Sequence, residues 1–117
     1  MNYWVVGATW GHDDQAERFY LRGTWQMGYD EAEQPGYADK INRIKQGDRI
    51  AVKKRDGKGA STISIKAIGV VKDVAEGIVY IDWVVTNLER HVSCKNYFGT
   101  IHGPVNDKIW RNEAFCL

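Results

Sequence analysis

The sequence predicts an α+β domain, a curled or barrel-like sheet of about five to six strands with two or three flanking helices. Three observations carry that expectation. The chain opens on one aromatic and β-branched segment, two short segments with helical spacing follow, and from Asp48 onward β-branched runs alternate with Gly-containing turns. With 117 residues the chain makes one domain, residues 1–117, with a proper core and hardly room for a second. No internal repeat is visible.

The elements follow in order. Tyr3-Trp4-Val5-Val6-Gly7-Ala8 reads as a buried strand that sits centrally, and Thr9 to Asp13 reads as a loop ending in an N-cap, because Asp13 or Asp14 can accept from the first free amides of a helix. That helix runs from Gln15 to Leu21, with Ala16, Phe19 and Tyr20 at helical spacing and Gly23 as its stop. Tyr29 to Gly36 is an acidic loop. Tyr37, Ile41 and Ile44 then mark a second helix, ended by Gly47, with Tyr37 facing the core. Asp48 to Lys54 and Thr62 to Val71 form a hairpin around the turn Asp56-Gly57-Lys58-Gly59. Glu76-Gly77 turns the chain into Ile78–Val85, Glu89-Arg90-His91-Val92 adds a further strand, Pro104 breaks the chain, and Asp107 caps a last helix anchored by Trp110 and Phe115.

Composition bounds the function. A chain with 44% hydrophobic and 26% charged residues and no long apolar run is an ordinary globular one, with no signal peptide or membrane span expected and the cytoplasm as its default location. Cys94 and Cys116 have neither CxxC spacing nor a His cluster, so no metal site is expected and both are taken as free thiols. The net charge of +1 means that any nucleic-acid surface must be local. A local surface exists in Lys53, Lys54, Arg55 and Lys58, which serve either as phosphate contacts or as cations that keep a hairpin edge soluble. Catalysis finds no support. His12-Asp13-Asp14 lacks a partner at ligand spacing, Cys94 has no His-Asn company, and Asp56-Gly57-Lys58-Gly59 lacks the full phosphate-loop pattern.

The stretch Gly23-Thr24-Trp25-Gln26-Met27-Gly28-Tyr29 is the most informative. Two large rings, Trp25 between Gly23 and Gly28 and Tyr29 directly after Gly28, stand in a polar region, and aromatic faces of that kind stack on bases at roughly 1–3 kcal/mol per base. The plainer alternative makes Trp25 a packing residue, since Trp is buried on average.

The order of elements and several phrases resemble the PUA-like superfamily in its YTH and EVE branch. Tyr3-Trp4-Val5-Val6-Gly7-Ala8 is similar to the opening strand of that branch, and Gly23-Thr24-Trp25 falls where the family places a cage tryptophan. Gly47-Asp48-Arg49-Ile50-Ala51-Val52-Lys53, Ile68-Gly69-Val70-Val71 and Val79-Tyr80-Ile81-Asp82-Trp83 resemble its later strands. The nearest likeness is to sensor domains at the front of modification-dependent restriction enzymes. One departure stands out: Lys72 to Gly77 contains no aromatic where the YTH branch supplies its second cage tryptophan.

The resemblance implies a non-enzymatic reader without cofactor that flips one modified base, N6-methyladenine or a modified cytosine, out of double-stranded DNA into an aromatic cage. It would serve as the specificity module of a larger nuclease or motor protein. The cage residues expected are Trp25, Trp10 and Tyr29, with Asp30 and the backbone of Ala8 and Thr9 reading the base edge by accepting from an amino group. Lys53, Lys54, Arg55 and Lys58, with Thr100 and His102, would hold phosphates, while Trp4 and Trp83 belong to the core. An RNA reader, or a PUA-like module binding a small molecule or a peptide, is the alternative.

Overall fold

The computed structural model describes residues 1–117. Its elements are β1 (Tyr3–Gly7), β2 (Thr9–Trp10), β3 (Asp13–Asp14), α1 (Ala16–Arg22), β4 (Thr24–Trp25), α2 (Pro35–Arg43), β5 (Arg49–Arg55), β6 (Thr62–Ala75), β7 (Ile78–Val85), β8 (Arg90–Ser93), β9 (Ile101–His102) and α3 (Lys108–Phe115). Seven strands form one curled sheet in the order β4-β7-β6-β5-β1-β9, with β8 paired to β6 beside that path, and β2 and β3 make a separate small hairpin. The α+β class and the curled sheet agree with the sequence.

Strand β6 is the spine. Its 14 residues pair with β5 along one edge, while the other edge is divided between β8 at Thr62–Ile65 and β7 from Ile68 to Ala75. The register slips at Val52/Lys53 against β5 and at Ile68/Gly69 against β7, and such bulges bend a strand and increase its twist. Gly69 sits at the second bulge because nothing larger fits: a Cβ there would lie 2.3 Å from Ile81 Cγ2.

The sheet buries both faces. Alternation along β1 sends Trp4 and Val6 into a core with Phe19, Trp25, Ile41, Ile50 and Ile81, whereas Val5 faces a second core with Ala51, Ile63, Ile65, Trp110 and Phe115. Helices α1 and α2 contribute to the first core and α3 to the second. Buried Asp48 fastens the start of β5 to β1, accepting from the Trp4 indole at 2.9 Å and from the amides of Asn2 and Lys45 at 3.0 Å each. Trp110 anchors α3 by donating to the Ser93 carbonyl at 2.7 Å, and Trp83 donates to the Phe19 carbonyl at 2.9 Å.

Several expectations need correction. Thr9 to Asp13 is not a plain loop, since Thr9 pairs with Asp14 and Trp10 with Asp13. Gln15, rather than an aspartate, occupies the N-cap of α1, although Asp14 does accept from the Ala16 amide at 2.9 Å. Helix α2 starts at Pro35, whose fixed φ and missing N–H suit a first helical position. Strand β6 continues beyond Val71 to Ala75, and β4 and β9, of 2 residues each, were too short to leave a periodicity. Strands β1 and β5 pair in parallel within an otherwise antiparallel sheet.

Candidate functional site

The chain turns sharply after β1, and the β2–β3 hairpin, the segment after β4, the N-terminal turn of α2, the end of β5 and the loop before β9 converge there on a cavity of about 520 Å³. Its aromatic walls are Trp10, Tyr29, Tyr37 and Phe98; its cations are Lys53, Lys54 and Arg55; its remaining lining comes from Gly7, Ala8, Thr9, Gly11, Gly28, Gly99 and Thr100. No carboxylate lines it. A second cavity of about 350 Å³ shares Ala8, Thr9, Lys53 and Lys54 but also exposes Asp14, Glu17 and Glu89, so only the first is uniformly cationic.

Each wall is held from behind. The Trp10 indole donates to the Gln26 carbonyl at 3.2 Å, packs edge-on against Phe19 at 5.8 Å between centroids, and carries the Arg18 guanidinium 5.0 Å from its ring centre. Gly28 lies so close to this ring that a Cβ would stand 2.6 Å from its Cγ. Tyr29 and Tyr37 are tilted against each other at 6.4 Å, and Arg55 lies 4.9 Å from the centre of the Phe98 ring. Tyr29 and Phe98 are 46% and 43% exposed, which leaves them open to a ligand. A Cβ on Gly99 would come 2.9 Å from the Tyr37 hydroxyl, so glycine lets that phenol reach the wall.

Lys53 is the unusual member. It is 6% exposed as a residue, and its ammonium, which makes neither an ion pair nor a hydrogen bond within the chain, keeps some accessible surface. Its Nζ lies 3.6 Å from where a Cβ on Gly7 would stand, and Gly7 lines the larger cavity and not the smaller, so the ammonium sits at the floor of the larger one. Burial, with the neighbouring Arg55 charge, pulls its pKa down to about 8. Nearby His102 is pushed down to about 4 by burial and then by the charges of Lys53 and Lys40, and its Nε2 accepts from the Gly99 amide at 2.8 Å. It is a neutral brace for the loop at neutral pH.

Of the residues expected at a base-binding site, Trp10, Tyr29, Ala8, Thr9, Lys53, Lys54, Arg55 and Thr100 come together at this cavity. Trp25 does not. It is wholly buried in the first core, opposite Val79 in β4, and its indole donates to the Gly7 carbonyl at 2.8 Å, so it supports the floor from below rather than presenting a face. Asp30 lies on a different hollow beside Glu31 and Glu76, with its amide donating to Glu33. Lys58 projects from the β5–β6 turn without lining the cavity, and His102 is stacked on Tyr97 at 4.9 Å between centroids. Lys53 is a buried floor group instead of a surface cation.

Sequence reasoning missed Tyr37 and Phe98. Tyr37 occupied the first apolar position of a helix and so read as core; it does pack against the first core, but its turn also faces the cavity and the side chain lines it. Phe98-Gly99 repeats the aromatic–glycine adjacency of Gly28-Tyr29 in a non-periodic segment, and that adjacency was the available sign.

The β5–β6 turn holds a separate polar cluster. Asp56 accepts from the hydroxyls of Ser64 and Thr62 and bonds His91 Nδ1 at 2.9 Å, and these contacts, Ser64 first, bring its pKa down to about 2. Ser64 and Asp56 both address the same nitrogen of His91, so the three do not form a nucleophile–base–orienter relay, in which the two would take opposite ring nitrogens. No group of three His, Cys, Asp or Glu side chains is placed to hold a metal ion, and no helix is long and apolar enough to cross a membrane. No known protein-family model matches the chain, and no curated protein matches it either.

Proposed function

We propose that this domain binds nucleic acid by accepting one extruded, modified base into the cavity between β1, β5 and the Phe98–Thr100 loop. One observation carries the reading: four aromatic side chains and three consecutive cations of one strand line a single cavity of about 520 Å³ that contains no carboxylate. Rings supply stacking faces for a base taken from its helix, which offsets the few kcal/mol of lost pairing and stacking. Exposed Lys54 and Arg55 reach the phosphates beside it. Lys54 is only loosely engaged by Asp14 at 3.6 Å, an exposed pair that an incoming phosphate displaces at little cost. The reaction-free role of a reader, working beside a nuclease or motor protein, fits the same cavity. The likeness of β1 and of the later strand phrases to EVE and YTH domains supports a modified base in DNA as the ligand; the likeness at Gly23-Thr24-Trp25 does not extend to the cage, which is built from Trp10, Tyr29, Tyr37 and Phe98.

Fluorescence polarisation against matched duplexes carrying adenine, N6-methyladenine, cytosine, 5-methylcytosine or 5-hydroxymethylcytosine tests this. One modified duplex should bind tightest, and Tyr29→Ala and Phe98→Ala should each weaken it about tenfold or more, as loss of one stacking face implies. Equal or absent binding across the set, with the variants indistinguishable from the parent, sinks the reading.

A further inference from the structure

The floor of the cavity carries a side-chain donor with one carbonyl beside it: a Cβ on Gly7 would stand 3.6 Å from Lys53 Nζ and 3.7 Å from the Gly99 carbonyl oxygen. An ammonium has three N–H donors and no lone pair, and of the edge acceptors expected, Asp30 lies outside the cavity while the backbone of Ala8 and Thr9 lines it. A charge largely taken out of water and left without a partner is costly, and its position here is fixed by the parallel pairing of Lys53 with Gly7 and by the register slip at Val52/Lys53. No group facing it offers relief. On its own strand stand Lys54 and Arg55, the His102 imidazole comes from β9, Lys40 and the Tyr37 phenol come from α2, and of the carboxylates in the adjoining cavity that Lys53 also lines, Asp14 is engaged with Lys54, Glu89 with Lys66, and Glu17 forms no ion pair with Lys53.

We propose that Lys53 is the specificity-determining residue of this cavity, selecting a ring that turns a hydrogen-bond acceptor, a ring nitrogen, toward the floor and rejecting one that turns an amino group there. This rests on the nucleic-acid reading above and reverses the edge preference that the sequence suggested. An acceptor edge pairs with the partnerless ammonium; an amino edge covers it and leaves two donors opposed. The methylated amino group of N6-methyladenine, or the substituted C5 edge of a modified cytosine, then points toward the aromatic walls.

Duplexes carrying, at one position opposite an abasic site, adenine, its 1-deaza, 3-deaza or 7-deaza analogue, cytosine or 3-deazacytosine test the proposal, because each deaza analogue replaces one acceptor by C–H at nearly constant shape. At least one analogue should bind about tenfold or more weakly than its parent base, and that difference should vanish in Lys53→Met while Lys53→Arg retains it. Affinity of the wild-type domain should also fall about tenfold from pH 7 to pH 9, a window that Lys53→Arg should remove. Indifference to every deaza change, or a discrimination that survives Lys53→Met, overturns the proposal and leaves the nucleic-acid reading standing. If no duplex binds, the nucleic-acid reading falls, and the ¹³Cε resonance of Lys53, assigned by its loss in Lys53→Arg, decides the inference with free deoxyadenosine and deoxycytidine at millimolar concentration. Movement with the parent nucleosides and not with the deaza forms supports it; no movement with any overturns it.

Discussion

Lys53 is held in the folded chain at a thermodynamic cost. Its folded pKa of about 8 lies below the ordinary 10.5, so the folded state binds fewer protons than the unfolded one between those values. Stability from this group is therefore complete above the unfolded pKa and is lost as pH falls through about 8, which leaves a penalty on the order of 3 kcal/mol at pH 7. Lys53→Met should accordingly raise stability by about 1–3 kcal/mol in urea denaturation at pH 7 while harming ligand selection. A lower urea midpoint for that variant would contradict the assignment. His102 carries the same sign in another window: with its folded value near 4 and its ordinary value of 6.5, its contribution is present above 6.5 and lost as pH falls toward 4. The urea midpoint of the parent should drop faster than that of His102→Gln between pH 7 and pH 4.5. Trp25→Ala should cost about 3–5 kcal/mol, because a wholly buried indole is removed together with its bond to Gly7, and thermal unfolding measures it. Trp25 was misread from sequence because flanking glycines were taken to mean solvent, when a strand of 2 residues had carried the ring into the core.

At the level of elements, what sequence patterning revealed tracks length. Strands β5, β6 and β7 carry enough β-branched residues to declare themselves, and Asp107 caps α3 as expected, accepting from the Trp110 amide at 3.1 Å. Strands β2, β3, β4 and β9 do not, since 2 residues hold no period and are fixed only by partners distant in the chain. The cavity is built chiefly from those short pieces and their joints, which is why Trp10 and Tyr29 were found by residue type while Tyr37 and Phe98 were not. Gly28 is the sharpest test of these joints. Gly28→Ala would thrust a methyl group into the Trp10 ring, so it should lower stability by about 1–3 kcal/mol and displace that indole. Changed Trp10 side-chain resonances together with weaker duplex binding would meet the expectation; an unmoved ring would refute the packing described.

Over the whole molecule the charges nearly cancel, at 16 Lys and Arg against 15 Asp and Glu, and the arrangement matters more than the sum. Two exposed cations at the cavity, with Lys58 on the adjoining turn, predict a slope of log affinity against log salt of about −2 to −3, and Arg55→Ala should reduce it by about one. Affinity independent of salt would detach the cations from the binding event. The α+β class was legible because helices and strands segregate along the chain; the parallel β1–β5 pairing was not, because nothing local to β1 distinguishes a partner 46 residues away by register from a nearer one. That pairing bears on how the chain is made. Strand β1 emerges in synthesis before both of its sheet neighbours, β5 on one side and β9 on the other. An unfinished chain must hold the apolar Trp4-Val5-Val6 run unpaired until Arg49–Arg55 appears, and it keeps an open sheet edge until Ile101–His102 is released. A ribosome stalled between those points would display a nascent chain vulnerable to strand capture by its neighbours.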